Sequence, residues 1–100
     1  MNLKEQLNYL RKKAHERGLK IRKDRRLIKT PYIAMHPYAG RELKQPFIKK
    51  HITYQPDLER RKKKLVMDVN HELIEYDLMK KGWKYKKAHK FANRKQRKLI

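Results

Sequence analysis

The sequence is poor in several residue types that common functional sites require. Its 100 residues include no cysteine, three glycines and only ten acidic residues. Without cysteine, the chain can form neither a disulfide nor a thiolate-ligated zinc site. The three glycines form none of the motifs of a P-loop, a dinucleotide-binding turn or a nucleophile elbow, so no motif supports these enzyme classes.

Long apolar runs are also absent. No segment approaches the roughly 20 apolar residues that a membrane-spanning helix needs. At the N-terminus, charged residues recur every few positions and leave no continuous apolar core for a signal peptide. We therefore predict a protein without a transmembrane segment that resides in the cytoplasm.

Positive charge, in contrast, is abundant. Thirty Lys and Arg residues give a formal net charge of +20. Charge on this scale repels itself within a compact monomer, but it attracts polyanions and speeds the encounter with them. We predict nucleic acid, either DNA or RNA, as the main partner; an anionic membrane surface, an acidic protein and simple solubility are the alternatives. The length allows one domain, residues 1–100, with a modest core.

The pattern of apolar residues and turn signals predicts an α+β fold: an N-terminal helix, short antiparallel strands and a C-terminal αα-hairpin. Asn2 and Glu5 make a capping box at the start of the first helix. Gly18 is a natural terminator. The first helix should therefore span about residues 3–17.

The middle of the chain reads as short strands. Apolar and basic residues alternate there, and four prolines interrupt the pattern, so no strand can be long. We predict strands near residues 19–23, 32–36 and 47–54, and a loop over residues 37–46.

A helical hairpin should complete the chain. A helix of some six turns is predicted from Asp57 to the Gly82 corner, and a basic helix from residue 84 to about Leu99. The longer helix is apolar on two sides, and one basic helix is not expected to cover the second side fully. We therefore predict a homodimer. The second apolar side comprises Met67, Ile74 and Leu78.

One group of residues has the pattern of a metal site. His71 and Glu75 are four residues apart and therefore share one face of the long helix. His89 would be brought opposite them by the hairpin. Two His and one carboxylate are the ligands that a catalytic zinc ion needs while it keeps a fourth position for water. Glu72, next to the first ligand, would be the general base.

The surrounding segment resembles small zincin metallopeptidases. A strand at His51–Tyr54, followed by Asp57–Leu58 and a charged helix start leading to His71–Leu73, is similar to the edge strand and active-site helix of that family. The similarity covers residues 47–92. It implies a bound zinc ion and a catalytic Glu72 that acts on the water activated by the metal.

The match departs from the family at one ligand. The zincin motif has His at the position of Glu75, and only His89 could supply the third ligand from a following helix. A carboxylate is acceptable to zinc. The departure leaves two further interpretations open: a zincin-like scaffold without metal, and ordinary packing of the two helices.

Two basic tracts carry the predicted nucleic-acid contacts, at the start of the long helix and along the last helix. Positive charge at a helix N-terminus opposes the helix dipole and costs stability, which suggests a use in phosphate binding. No helix carries a compact set of residues for reading base edges, so little sequence preference is expected. The predicted contact residues are Arg60, Arg61, Lys62, Lys63, Lys64, Lys84, Lys86, Lys87, Lys90, Arg94, Lys95, Arg97 and Lys98.

The composition resembles, without a shared motif, the orphan proteins of viruses and plasmids of hyperthermophilic archaea. The shared features are small size, high charge, abundant lysine and the lack of cysteine. This likeness implies a role in viral genome handling or host takeover. The location would then be the host cytoplasm.

Overall fold

The computed structural model describes residues 1–98 and confirms the predicted α+β class. An N-terminal helix is followed by a small sheet of three short strands and by two packed C-terminal helices. A 3-10 turn at Arg25–Lys29 and one short α-helix lie between the strands. The predicted end of the last helix at Leu99 lies outside the described residues.

Helix α1 spans Leu3–Glu16, as the capping signals predict. The Asn2 side chain accepts a hydrogen bond from the backbone N–H of Glu5, and the Glu5 carboxylate accepts one from the backbone N–H of Asn2. These bonds satisfy two N–H groups that the first turn of a helix leaves free. At the other end, Gly18 has a φ of +72°, a conformation that favours glycine.

The sheet has three strands in the order β1-β3-β2. Strand β1 is Lys20–Lys23, β2 is Ala34–Met35 and β3 is His51–Tyr54. All three are shorter than predicted. Each lies inside its predicted range, because the prolines and the turns end the pairing early.

Two expectations about the strands are corrected. Strand β2 pairs antiparallel to β3, with Met35 opposite Thr53, but β1 pairs parallel to β3, with Ile21 opposite Ile52, so the sheet is mixed. Strand β3 is also the central strand, not the edge strand that the zincin resemblance implied. The direction of a pairing depends on how the intervening chain returns, and local alternation does not encode it.

The predicted loop over residues 37–46 is wrong for its first half. Helix α2 spans Pro37–Glu42, with His36 as its N-cap. Proline is favourable as the first residue of a helix because its missing N–H has no partner there in any case. Pro37 therefore starts a helix at a place where the sequence pattern suggested a turn.

A tight turn follows α2. The chain passes through a left-handed conformation at Lys44 (φ +58°). It then returns so closely that a Cβ added to Gly40 would lie 2.7 Å from the Ile48 Cβ. Glycine is required at position 40 because no larger residue fits this approach of two backbone segments.

The C-terminal hairpin is confirmed, but its first helix starts later than predicted and its second helix ends at Lys95, several residues before the predicted end near Leu99. A 3-10 turn occupies Pro56–Arg60, and helix α3 spans Lys62–Lys80. Arg61 between them has a non-helical backbone (φ −126°, ψ 65°), so the turn and the helix are not continuous. After the corner at Gly82 (φ +102°), helix α4 spans Tyr85–Lys95 and packs on α3.

The second apolar side of α3 is half-buried within the single chain. The strongly exposed large apolar side chains among residues 1–98 lie elsewhere, at Met1, Leu3, Ile28 and Ile33. The homodimer therefore stays a prediction, and the argument for it from an uncovered apolar side of α3 is weaker, because other parts of the same chain cover this side in part. Within the described range, no helix combines the length and the hydropathy that crossing a bilayer requires. The predicted cytoplasmic location is not tested by this finding.

Two apolar clusters form the core. The larger cluster joins α1, β1 and β3 to one face of α3, and includes Leu10, Ile52 and Val69. The smaller cluster lies under α2 and includes Leu27 and Met35. The opposite face of the middle of α3 carries polar side chains that are nevertheless buried, and these form the candidate site.

Candidate metal centre and basic surface

The three predicted metal ligands converge. His71 and Glu75 lie one helical turn apart on α3, and His89 faces them from α4. Glu75 Oε2 is 3.0 Å from His71 Nε2 and 2.9 Å from His89 Nδ1. All three ligand atoms lie within 4.8 Å of one another. Buried His and Glu side chains thus form a group that could hold a metal ion.

Glu75 Oε2 is closer to each of the two imidazole nitrogens than two ligand atoms of one tetrahedral ion would be. Metal–ligand bonds of about 2.0–2.2 Å at tetrahedral angles separate two ligand atoms by roughly 3.4 Å. An ion would therefore require His71 and His89 to move away from Glu75 by roughly 0.4 Å each. Rotamer adjustments of this size are small for side chains at the edge of a cavity.

The orientation of His71 is fixed by its other ring nitrogen. Nδ1 lies 2.9 Å from the side-chain oxygen of Gln96, to which it donates when it carries the ring proton. Asn70 in turn donates to the backbone oxygens of Gln96 and Lys98, which holds residues 96–98 against α3. In that neutral tautomer Nε2 carries no proton and is available to a metal, and such a second bond from the other nitrogen is usual for metal-ligating His residues.

Glu75 is the centre of the hydrogen-bond network and is 1% exposed. Burial raises the pKa of its carboxyl group, but hydrogen bonds from His36, His71 and His89 outweigh burial and lower the pKa to about 2. A carboxylate that stays charged inside the protein is well suited to bind a cation.

Glu72 lies beside the ligands in a different environment. Its side chain is buried, and Oε1 has no hydrogen-bond partner. Burial, together with the negative charge of Glu75, raises the pKa of Glu72 well above its ordinary value. Oε2 is 3.8 Å from His71 Nε2. An unpaired buried carboxyl oxygen is costly and marks a place where water or substrate is expected.

These side chains line a cavity of about 260 Å³ between α3, α4 and the segment that leads into α2. One wall consists of the consecutive residues 31–35, which include the edge strand β2. The lining also includes polar residues of the two helices, among them Asp68 of α3 and Asn93 of α4. His89 is partly exposed at this cavity, so the ligand group has access from solvent.

His36 is a site residue that the sequence does not reveal by proximity, because no other histidine and no acidic residue lies within five positions of it. It is fully buried, and Nε2 is 2.8 Å from Glu75 Oε1. Burial lowers the pKa of His36, although Glu75 opposes this effect. The sequence His36-Pro37 is a signal that could have found it, since Pro at the first helical position places His36 at the N-cap.

The predicted nucleic-acid contacts lie on the surface. Of the 13 basic residues, 12 are exposed; Lys64 is half-buried and pairs with Asp68 at 2.8 Å. Lys87 lies over the Trp83 ring, with Nζ 4.5 Å from the ring centre. The two tracts occupy the start of α3 and the length of α4 that leads away from the corner.

The site therefore combines a buried group of His and Glu side chains with a basic surface on the same two helices. Comparison of the chain with protein families, with curated proteins and with solved structures finds no match.

Proposed function

We propose that this chain is a metal-dependent hydrolase with a zincin-like centre, in which His71, Glu75 and His89 hold one zinc ion. The observation that supports the proposal is the approach of His71 Nε2 and His89 Nδ1 to the same oxygen of Glu75. Two imidazoles and one carboxylate leave a further coordination position, as catalytic zinc sites do. The ligands also border a cavity with access from solvent.

Glu72 is the proposed general base. When bound, the zinc ion would polarise the substrate and lower the pKa of water. Glu72 would then accept a proton from water at the cavity, because its Oε1 has no competing hydrogen bond. Its raised pKa suits a proton acceptor that must hold the proton until the leaving group takes it.

Metal analysis tests the binding part of the proposal. Protein purified without a chelator or a metal-affinity tag should contain about one zinc per chain, and His71→Ala or His89→Ala should lose it. His15→Ala is the matched control, because His15 is exposed on α1 and should keep the metal. Substoichiometric metal that neither substitution at the site changes would contradict the proposal.

Hydrolysis is tested separately. Fluorogenic peptides, duplex DNA, single-stranded DNA and structured RNA should be offered to the zinc-loaded protein. Glu72→Gln should abolish hydrolysis of whichever substrate is cleaved, while the metal stays bound. Glu16→Gln, at an exposed position of α1, should change neither hydrolysis nor metal binding. Bound zinc without any hydrolysis would favour a zincin-like scaffold whose metal is structural.

We propose a second function, binding of nucleic acid through phosphate contacts, which the exposure of both basic tracts favours. Between residues 84 and 98 the sequence contains no acidic residue, so no acid of this segment offsets its positive charge. Lys outnumbers Arg, which suits neutralisation of phosphates better than bidentate recognition of guanine.

Salt dependence tests this second function. If about six phosphates are neutralised, the logarithm of the binding constant should fall against the logarithm of salt concentration with a slope of roughly −5. Competition among duplex DNA, single strands and structured RNA at fixed salt identifies the preferred partner. An affinity that is flat between low and physiological salt would contradict the proposal.

Two variants with equal net charge locate the surface. A variant with four α4 residues changed to Gln should bind every sequence more weakly and with a shallower salt slope than a control with four other basic residues changed. Equal effects would show that only total charge matters. The α4 set is Lys86, Lys87, Lys90 and Arg94, and the control set is Lys4, Lys12, Lys20 and Arg25.

A further inference from the structure

His36 belongs to two structures at once, the cap of α2 and the network around Glu75. The residue is fully buried and comes directly after strand β2. Its Nδ1 accepts a hydrogen bond from the backbone N–H of Ala39 at 3.2 Å, which satisfies one of the free donors of the first helical turn. A backbone N–H can only donate, so Nδ1 carries no proton.

The cap determines the state of the other ring nitrogen. A neutral imidazole with an unprotonated Nδ1 carries its proton on Nε2. That nitrogen lies 2.8 Å from Glu75 Oε1 and therefore donates to it. Glu75 Oε2, the other oxygen of the carboxylate, faces His71 and His89. Oε1 of Glu75 thus contacts His36, and Oε2 contacts the two proposed imidazole ligands.

This assignment decides between two possible ligand groups. His36, Glu72 and Glu75 also bring their ligand atoms within 4.8 Å of one another, so by distance alone they could hold a second ion. A nitrogen that carries a proton cannot coordinate a metal. The hydrogen bond from the Ala39 N–H therefore removes His36 from the possible ligands and, among residues 1–98, leaves one group complete.

We infer that His36 is a positioning residue: it donates to Glu75 Oε1, orients Oε2 toward His71 and His89, and restricts the centre to one metal ion. The inference rests on the proposed metal centre. It adds that the orientation of the carboxylate ligand depends on the start of helix α2, 39 residues away in the sequence.

Two substitutions separate the two contacts of His36. The Asn side-chain oxygen can replace Nδ1 and cap α2, for which Asn is among the best residues, but the Asn side chain is too short to reach Glu75. The Gln side-chain nitrogen lies near the position of Nε2 and can donate to Glu75, whereas Gln caps poorly. His36→Asn thus keeps the cap, and His36→Gln keeps the bond to Glu75.

The experiment measures zinc affinity by competition with a chromophoric chelator, metal stoichiometry, and the visible absorption of the Co²⁺ form. His36→Asn should weaken zinc binding by about 10–100-fold, which is the usual effect of removing a residue that orients a metal ligand. It should also alter the Co²⁺ spectrum. His36→Gln should bind zinc more tightly than His36→Asn and restore the wild-type spectrum. Thermal unfolding shows that each variant is folded.

Three results would overturn the inference while leaving the proposed metal centre in place. Wild-type affinity and spectrum in folded His36→Asn would show that Glu75 needs no orienting donor. Two metal ions per wild-type chain, with one lost in His36→Asn, would make His36 a ligand. Affinity lost equally in both variants would assign His36 a purely structural role. Wild-type protein without bound metal would instead contradict the proposed centre itself, and the inference with it.

Discussion

The close approach of α2 to the following turn gives a sharp prediction for Gly40→Ala. The added Cβ would lie 2.7 Å from the Ile48 Cβ and 3.2 Å from the Gln45 backbone oxygen. Carbon atoms pack best at about 3.5–4.0 Å, so the two segments must separate by roughly 1 Å. Neither neighbouring atom is the end of a flexible side chain, and the main chain must therefore move.

Gly40→Ala changes the free energy of unfolding through two opposing contributions, helix propensity and overpacking. Replacing Gly by Ala inside a helix stabilises it by about 1 kcal/mol. Overpacking a core costs about 1–3 kcal/mol, and a collision between a Cβ and the backbone belongs at the upper end. We expect a net loss of about 2 kcal/mol in the free energy of unfolding. With a slope of about 1.5 kcal/mol per molar urea, the unfolding midpoint should fall by roughly 1 M.

Urea unfolding followed by circular dichroism measures this loss, and Gly18→Ala is the control. Position 18 has no atom within 4 Å of an added Cβ, so its cost comes only from the left-handed backbone. Because a shift of α2 moves His36, Gly40→Ala should also weaken zinc binding, and Gly18→Ala should not. A midpoint at or above that of the wild type for Gly40→Ala would refute the reasoning.

Three further predictions concern single contacts. Lys44→Gly should raise the free energy of unfolding by about 1 kcal/mol in a urea titration, because Lys44 has a φ of +58°, a backbone conformation that is strained for residues with a Cβ. An unchanged or lower free energy of unfolding would contradict this prediction. Arg17 and Asp77 form a bidentate ion pair with side chains 22% and 35% exposed. A double-mutant cycle should therefore give a coupling of about 0.5–1 kcal/mol that shrinks in 1 M salt. A larger coupling that salt does not change would contradict screening of this pair by solvent. The hydrogen bond from Arg26 lowers the pKa of Asp24 below its ordinary value of 3.8. The ionised Asp24 therefore stabilises the folded state above pH 3.8, and this contribution is lost as the pH falls through the lower pKa of the folded state. Asp24→Asn should reduce the loss of unfolding free energy between neutral and acid pH, and an equal loss in the wild type and the variant would contradict the assignment.

Features encoded by neighbouring residues were predictable from the sequence. The capping box at Asn2, the corner at Gly82 and the convergence of His71, Glu75 and His89 all follow from helical spacing and one tight turn. The ligand group needed no knowledge of the rest of the fold, since residues four apart share a helix face and a hairpin brings the next helix opposite them.

Features that depend on distant residues were not predictable in this way. The parallel pairing of β1 with β3 depends on the path of the intervening chain. Helix α2 was missed because Pro37 and Gly40 are turn signals in most contexts, and both have other roles here. His36 was missed because its partner is Glu75, on a different element, and only the tertiary structure brings the two together.

The separation of contacts along the chain bears on the order of folding. Glu75 and His89 are only 14 residues apart, whereas His36 and Glu75 are separated by 39 residues, and Arg17 and Asp77 by 60. Short loops close at a smaller entropic cost than long ones. We therefore expect α3 and α4 to gain protection in pulsed hydrogen exchange before β1 does, and simultaneous protection would contradict this order. The ligands would then meet early in folding, and the carboxylate would acquire its final orientation only when the middle of the chain closes over it.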